Sequence, residues 1–157
     1  MAEKTDFDHQ AAHKYFSSHC FNRAWDLIDK SERTPEEDEQ MIRLSLASQY
    51  HWSQRKDVTN TNVSIGFWQT SRIYALLGQV DNAKRYGQLC LEVSQMDDVP
   101  PFFLGYAYEA LARAEAAGDN QQAMQEYLDL AHSVAEKVDE KDEKKMLLDD
   151  LKTIKIQ

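Results

Sequence analysis

The chain has 157 residues, of which 42% are hydrophobic, so it can bury a core of its own but is too short to suggest two domains. Acidic residues outnumber basic ones by 27 to 18, and the net charge of −9 argues against nucleic acid as a partner. No run approaches the ~20 apolar residues that cross a bilayer, and the start MAEKTDFDHQ has no apolar signal segment. We therefore expect a cytoplasmic protein that does not bind membranes.

The N-terminal segment is predicted to form two helices, the second of which ends at the polar segment SERT. Apolar residues at helical spacing predict a first helix over residues 6–18 and a second over residues 22–30. Trp25 falls on the apolar side of the second helix, so we expect it to anchor the core. His19 is predicted to lie in the turn between the two helices.

The third helix, over residues 34–54, has the clearest start in the chain. Thr34 can cap it, Pro35 suits its first turn, and Glu37 completes a capping box. Its apolar residues cover two faces, which is typical of a helix that packs on more than one side. We therefore expect this helix to be central.

The second half of the chain is divided by glycine, proline and polar segments into four further helices. A loop is predicted over the segment KDVTNTN, and Asp81 is predicted to cap the fifth helix. The other helices are expected over residues 63–77, 102–117 and 120–138, followed by a charged helix over residues 140–151.

Two stretches repeat a pattern of helix, glycine and helix. Gly78 is followed five positions later by Ala83, and Gly118 is followed at the same interval by Ala123. A glycine can adopt the left-handed conformation that ends a helix, and a small alanine lets the next helix pack closely. The interval of 40 residues between the glycines indicates an array of helical repeats.

This pattern resembles the tetratricopeptide repeat (TPR), in which an aromatic, a small pair, a tyrosine, a glycine and two alanines recur. The first copy places Phe67, Thr70, Ser71, Tyr74, Gly78, Ala83 and Cys90 at those positions. The second copy places Ala107, Ala110, Leu111, Ala114, Gly118, Ala123 and Leu130 there. Gly87 departs from the pattern where the second copy has Tyr127. Segments such as RAWDLIDK and FWQTSRIYALLG also resemble those of short bacterial TPR-like proteins, which implies no activity.

The resemblance implies an all-α, TPR-like right-handed superhelix of antiparallel helix pairs, with about seven helices and a charged C-terminal helix. It implies a single domain over residues 1–157, divided into units 6–30, 34–55, 61–95 and 101–138 and a C-terminal cap over 140–154. Leu147, Leu148, Leu151 and Ile154 lie at helical spacing. Either these residues fold back as the cap, or they contact a second copy of the chain and the protein forms a homo-oligomer.

Candidate binding residues follow from the expected groove. In such arrays the first helix of each pair lines a concave surface. The residues that we expect there are His51, Trp52, Trp68, Arg72, Tyr108 and Glu109. Trp68 and Arg72 lie four positions apart, so the guanidinium can stack on the indole or present its donors to a carboxylate. The alternative is that the tryptophans only fill space between helices while Arg72 pairs with an acidic neighbour.

The sequence holds no recognisable catalytic or metal-binding motif. A glycine-rich phosphate loop, a GxSxG motif and a CxxC pair are all missing, and Cys20 and Cys90 are expected to be buried reduced thiols. His9 and His13 have a metal-ligand spacing but no further ligands nearby, so we expect no metal and no cofactor.

Two functions are compatible with this sequence. The first is a non-catalytic module that binds a protein or peptide partner in an open groove. The second is a small-molecule or metal-binding protein, with or without enzymatic activity, that has a closed pocket near His51, Trp52, Trp68 and Arg72.

Overall fold

The computed structural model describes residues 6–156, and these residues form seven α-helices and no strand. The helices are α1 (His9–Ile28), α2 (Pro35–Ser53), α3 (Asn60–Leu76), α4 (Val80–Ser94), α5 (Pro101–Ala117), α6 (Gln121–Ala135) and α7 (Lys141–Leu151). Sequential neighbours pack mostly as antiparallel pairs, and α3 also packs on α5. The all-α prediction is confirmed, whereas the hand of a superhelix and the TPR assignment stay predictions.

The count of helices differs from the prediction at the N-terminus. The two helices predicted over residues 6–18 and 22–30 are one continuous helix, α1, so the charged C-terminal helix is the seventh and not an eighth. His19 lies inside α1, where its ring stacks on Tyr15 with 5.1 Å between centroids. The residues between the two predicted helices, His19, Cys20 and Phe21, include neither glycine nor proline, so nothing there ends a helix.

Capping residues set the starts of α2 and α3. The predicted capping box of Thr34 and Glu37 is present, with Pro35 in the first turn. A second box, between Thr59 and Asn62, starts α3 within the segment that was predicted to be a loop. The prediction for Asp81 was wrong, because it lies in the first turn of α4, where its charge complements the helix dipole.

The two turn glycines have different physical roles. Gly78 has a φ of +71°, as predicted for a glycine that ends a helix. Gly118 has a φ of −92°, and Asp119 after it adopts the left-handed conformation with a φ of 55°. A Cβ on Gly118 would lie 3.0 Å from Cγ1 of Val80, so this glycine instead permits close packing on α4.

The core is centred on α5, and the prediction of a central third helix was wrong. Helix α5 packs against α3, α4, α6 and α7. Helix α2 packs against α1 and α3, and any contact that it makes with another helix is weak. On α2 the apolar Leu46 and Tyr50 are exposed, while Ser45 and Ser48 are buried. The Ser45 hydroxyl bonds the Thr70 hydroxyl at 2.6 Å. Small hydroxyl residues thus face the neighbouring helices, which apolar periodicity alone does not indicate.

The C-terminal helix packs back onto the array. Leu147, Leu151 and Ile154 are buried against residues of α5 and α6. Among the described residues, no helix combines the length and the apolar character that a membrane span requires. Cys20 and Cys90 are both buried free thiols.

Candidate functional site

A cleft of about 330 Å³ opens among α1, α3, α5 and α7. Its lining is mainly aromatic and aliphatic, and we call it the aromatic cleft. The residues that line it are Trp25, Ser64, Ile65, Trp68, Phe102, Phe103, Tyr106, Met146 and Asp150. Four helices that are distant in sequence therefore contribute to one concave surface.

The rings of the aromatic cleft meet at steep angles. The centroids of Trp68 and Tyr106 are 5.5 Å apart with 79° between the ring planes. Phe102 meets Tyr106 at 74° and Phe103 at 81°. Trp25 lies 5.5 Å from Trp68 with 38° between planes. Edge-to-face contact is a favoured packing geometry for aromatic rings, so these contacts hold the walls of the cleft in place.

A buried carboxylate holds Trp68 in place. Glu109 is fully buried, and its Oε2 accepts a hydrogen bond of 2.8 Å from the indole Nε1 of Trp68. Its Oε1 faces two guanidinium groups, Nη1 of Arg72 at 3.4 Å and Nε of Arg113. Burial, followed by the nearby charge of Arg113, lowers the pKa of Arg72. An arginine keeps its charge despite such a shift, so two cations share one buried anion.

A second polar pair, Tyr106 and Asp150, lies at the edge of the cleft. The Tyr106 hydroxyl donates to Oδ2 of Asp150 at 2.5 Å. Burial and then this hydrogen bond raise the pKa of Tyr106 far above its ordinary value, so the phenol stays protonated. Arg113 Nη2 donates to the main-chain oxygen of Asp150 at 3.1 Å and to Thr153 at 2.7 Å. These bonds connect α5 to the end of α7.

Three of the six predicted site residues come together in this network. Trp68, Arg72 and Glu109 form one connected set, and Arg72 faces the Glu109 carboxylate. Tyr108 is absent from the lining of the aromatic cleft and instead stacks on Tyr127 of α6, with 6.4 Å between centroids.

Trp52 lines a neighbouring cavity. This cavity, also of about 330 Å³, is lined by Ser18, Phe21, Asn22, Trp52, Asn62, Ile65 and Gly66, and we call it the Trp52 cavity. It shares Ile65 with the aromatic cleft, so the two concavities adjoin. The guanidinium of Arg55 lies over the Trp52 ring, 3.8 Å from its centroid. Arg55 also bonds Asp57 at 2.8 Å, which lowers the pKa of that carboxyl to about 2.

His51 belongs to a separate cluster between α1 and α2. Its Nδ1 lies 2.8 Å from Nδ1 of His13, and the ring of Phe16 is 5.3 Å away. One imidazole must donate and the other accept at this distance, so the pair cannot be doubly protonated without separating. Burial first, and then the charge of His13, lowers the pKa of His51 from 6.5. Within residues 6–156 no group of three or more His, Cys, Asp or Glu side chains could hold a metal ion.

The paired imidazoles predict a loss of stability in mild acid. The unfolded chain takes up a proton on His51 near pH 6.5, whereas the folded chain resists it until the pH is lower. The contribution of His51 is therefore complete above about pH 6.5 and is lost as the pH falls towards the lowered folded pKa. We expect a melting temperature that falls between about pH 7.5 and 5.5, and a smaller fall in His51→Gln. The exposed His132 supplies the control, His132→Gln, and equal pH profiles for the two variants would contradict the prediction.

Sequence reasoning missed half of the cleft. Trp25 was assigned to the core, and Phe102, Phe103, Met146 and Asp150 were not considered. The adjacent pair of phenylalanines was a usable signal, because neighbouring residues on a helix point in directions about 100° apart, so two large rings there give a wide apolar face. Met146 and Asp150 lie in a charged segment whose pairing the sequence did not indicate.

Comparisons with known proteins add no further assignment to this geometry. The chain matches no protein-family model, no curated protein and no solved structure.

Proposed function

We propose that this chain is a non-catalytic binding module that holds a segment of a partner protein across the aromatic cleft and the Trp52 cavity. The observation that carries the proposal is that rings from three helices, Trp25, Trp68 and Phe102, leave a cleft between them. Residues of a hydrophobic core normally close such space, because protein interiors are densely packed. An open aromatic concavity is typical of a surface that accepts a side chain.

The adjoining cavities favour a peptide over a compact small molecule. A volume of about 330 Å³ accommodates one large side chain, at the lower end of the range for ligand sites. The shared Ile65 places a second cavity of equal volume beside the first. An extended or helical peptide segment can place one side chain in each cavity. A compact small ligand would occupy one cavity and leave the other empty.

The groups in the cleft support binding and give no route to catalysis. The Ser64 hydroxyl bonds Ser94 at 2.7 Å, and the Tyr106 phenol is held protonated by burial and by Asp150. Cys90 lies behind Ser64, and burial raises its pKa to about 11, so it is not a thiolate nucleophile. Among the nine lining residues, the Ser64 hydroxyl has no base beside it, and the Tyr106 phenol beside Asp150 is held protonated.

The alternative of one pocket among His51, Trp52, Trp68 and Arg72 has less support. His51 pairs with His13, Trp52 lines its own cavity, and Arg72 faces Glu109. No cavity is shared by these four side chains, so a small-molecule or metal function would need another arrangement.

Peptide display on the immobilised protein tests the proposal. We expect selected peptides to share one anchor residue and to lose at least tenfold in affinity on Phe103→Ala, because interface aromatics contribute most of the binding energy. The matched control is Leu130→Ala, which changes an exposed leucine on α6 and should leave affinity unchanged. Circular dichroism checks that both variants fold. Selection of no peptide, or equal affinities for both variants, would overturn the proposal, and a concentration-dependent mass would point to a second copy as the partner.

A further inference from the structure

We propose that the group held in the aromatic cleft is a quaternary ammonium, carried by the partner segment as a trimethylated lysine side chain. This inference rests on the proposed function and names the chemistry of its anchor. Three features of the cleft carry it: the rings, the carboxylate at their edge, and the small number of free hydrogen-bond acceptors.

The rings supply a surface that attracts cations. Five aromatic residues line the cleft: Trp25, Trp68, Phe102, Phe103 and Tyr106. The face of each ring carries partial negative charge, and tryptophan is the strongest of these side chains in binding cations. Because the five rings come from three helices around one cleft, a cation held there would lie among several of them.

Asp150 adds a formal negative charge to this cage. Its Oδ2 accepts the Tyr106 hydroxyl, while its Oδ1 accepts no hydrogen bond from the described residues. Arg72 and Arg113 do not line the cleft, and both pair with Glu109, while Arg113 also bonds the main-chain oxygen of Asp150 and the charge of Asp150 acts on Arg72. Asp150 is thus the charged residue of the lining, and it favours a positive ligand.

The chain does not fill this cage with a cation of its own. Within residues 6–156 the cation–π pairs are Arg55 over Trp52 and Arg85 over Tyr86, and none of these residues lines the aromatic cleft. The net charge of −9 also favours a basic partner.

The shortage of acceptors selects an alkylated ammonium over a primary one. A primary ammonium brings three N–H donors that each need an acceptor once buried. The acceptors of the cleft lining are the Asp150 carboxylate and the hydroxyl oxygens of Ser64 and Tyr106, and these hydroxyls already bond Ser94 and Asp150, so three N–H donors would find few unengaged acceptors. A quaternary ammonium has no N–H, and its methyl groups pack on the rings while its charge is retained.

A charged ligand and its neutral isostere test this chemistry directly. Choline and 3,3-dimethylbutan-1-ol have the same shape and differ in the charged nitrogen. Isothermal titration calorimetry should show choline binding at least tenfold tighter than the alcohol. Asp150→Asn keeps an acceptor for Tyr106 and should weaken choline at least fivefold without weakening the alcohol. Asp149→Asn, which removes a neighbouring charge outside the cleft lining, should bind both ligands as the wild type does.

The outcomes separate this inference from the proposed function. The ammonium assignment would be overturned if the neutral alcohol bound as tightly as choline or more tightly, or if Asp150→Asn left choline binding unchanged. In that case, display-selected peptides with apolar anchors would still support the binding module. A short peptide with a central trimethyl-lysine should bind at least as tightly as choline, and its leucine analogue at least tenfold more weakly. If choline bound and the trimethyl-lysine peptide did not, the ligand would be a free small molecule, and that result would overturn the proposed function instead.

Discussion

Replacing Glu109 by alanine is expected to lower the free energy of unfolding by about 3–5 kcal/mol, which approaches the whole stability of a small domain. The carboxylate is fully buried and faces the guanidinium groups of Arg72 and Arg113. Without it, two partly buried cations repel each other and no anion compensates their lost hydration. The indole nitrogen of Trp68 also loses its acceptor.

Urea unfolding followed by circular dichroism measures this effect. Glu109→Gln keeps an amide oxygen for the Trp68 indole but removes the charge, so we expect a smaller loss that still exceeds about 1 kcal/mol. The control is Glu92→Ala on the exposed face of α4, which should change stability by less than about 0.5 kcal/mol. A loss below about 1 kcal/mol for Glu109→Ala would mean that water reaches the two arginines and that the network is not a buried one.

The same network connects stability to the aromatic cleft. Trp68 is a wall of the cleft, and its orientation depends on the hydrogen bond to Glu109. Arg113 is bonded to Glu109 and also to the end of α7, close to Asp150. A change at Glu109 should therefore weaken any ligand of the cleft beyond what unfolding alone explains, which titration at a temperature well below the melting transition can show.

The helices of this chain were predictable where local chemistry sets them. The capping box of Thr34 and Glu37 and the left-handed Gly78 are decided by residues within one turn of each other, and both predictions are confirmed. The continuity of α1 was missed because a turn was predicted at His19, although the segment around it contains no helix-breaking residue. The position of α2 was missed because its buried face is built from serines, whose hydroxyls bond to neighbouring helices.

The site was predictable only in part, because its contacts join residues far apart in sequence. Trp68 and Arg72 share a helix face, which the spacing showed, but their common partner Glu109 lies about 40 residues later. The sequence pointed to Glu109 as a candidate without indicating that it would be buried between two arginines. The contribution of α7 to the cleft could not be predicted, since it depends on how the last helix packs on α5 and α6.

Leu147→Ala is the second substitution with a large expected effect, a loss of about 2–5 kcal/mol in the free energy of unfolding. Leu147 is fully buried, and its Cδ2 lies so near Gly105 that a Cβ there would clash with it, so α5 and α7 are in close contact at this point. Truncation to alanine leaves a cavity that the surrounding helices can fill only by moving. Helix α7 has few other anchors, chiefly Leu151 and Ile154.

Met146, the residue before Leu147, supplies the matched control. It is 56% exposed and lines the aromatic cleft, so Met146→Ala should change stability by less than about 1 kcal/mol while altering ligand binding. In Leu147→Ala we expect a large loss of stability instead. Helix α7 should unfold locally first and expose its amides to hydrogen exchange before the rest of the chain unfolds. Because α7 carries Asp150, this loosening removes the carboxylate from the cleft as well. Cooperative exchange of all seven helices in Leu147→Ala would instead mean that α7 is an integral part of the core, and that the cleft persists for as long as the fold does.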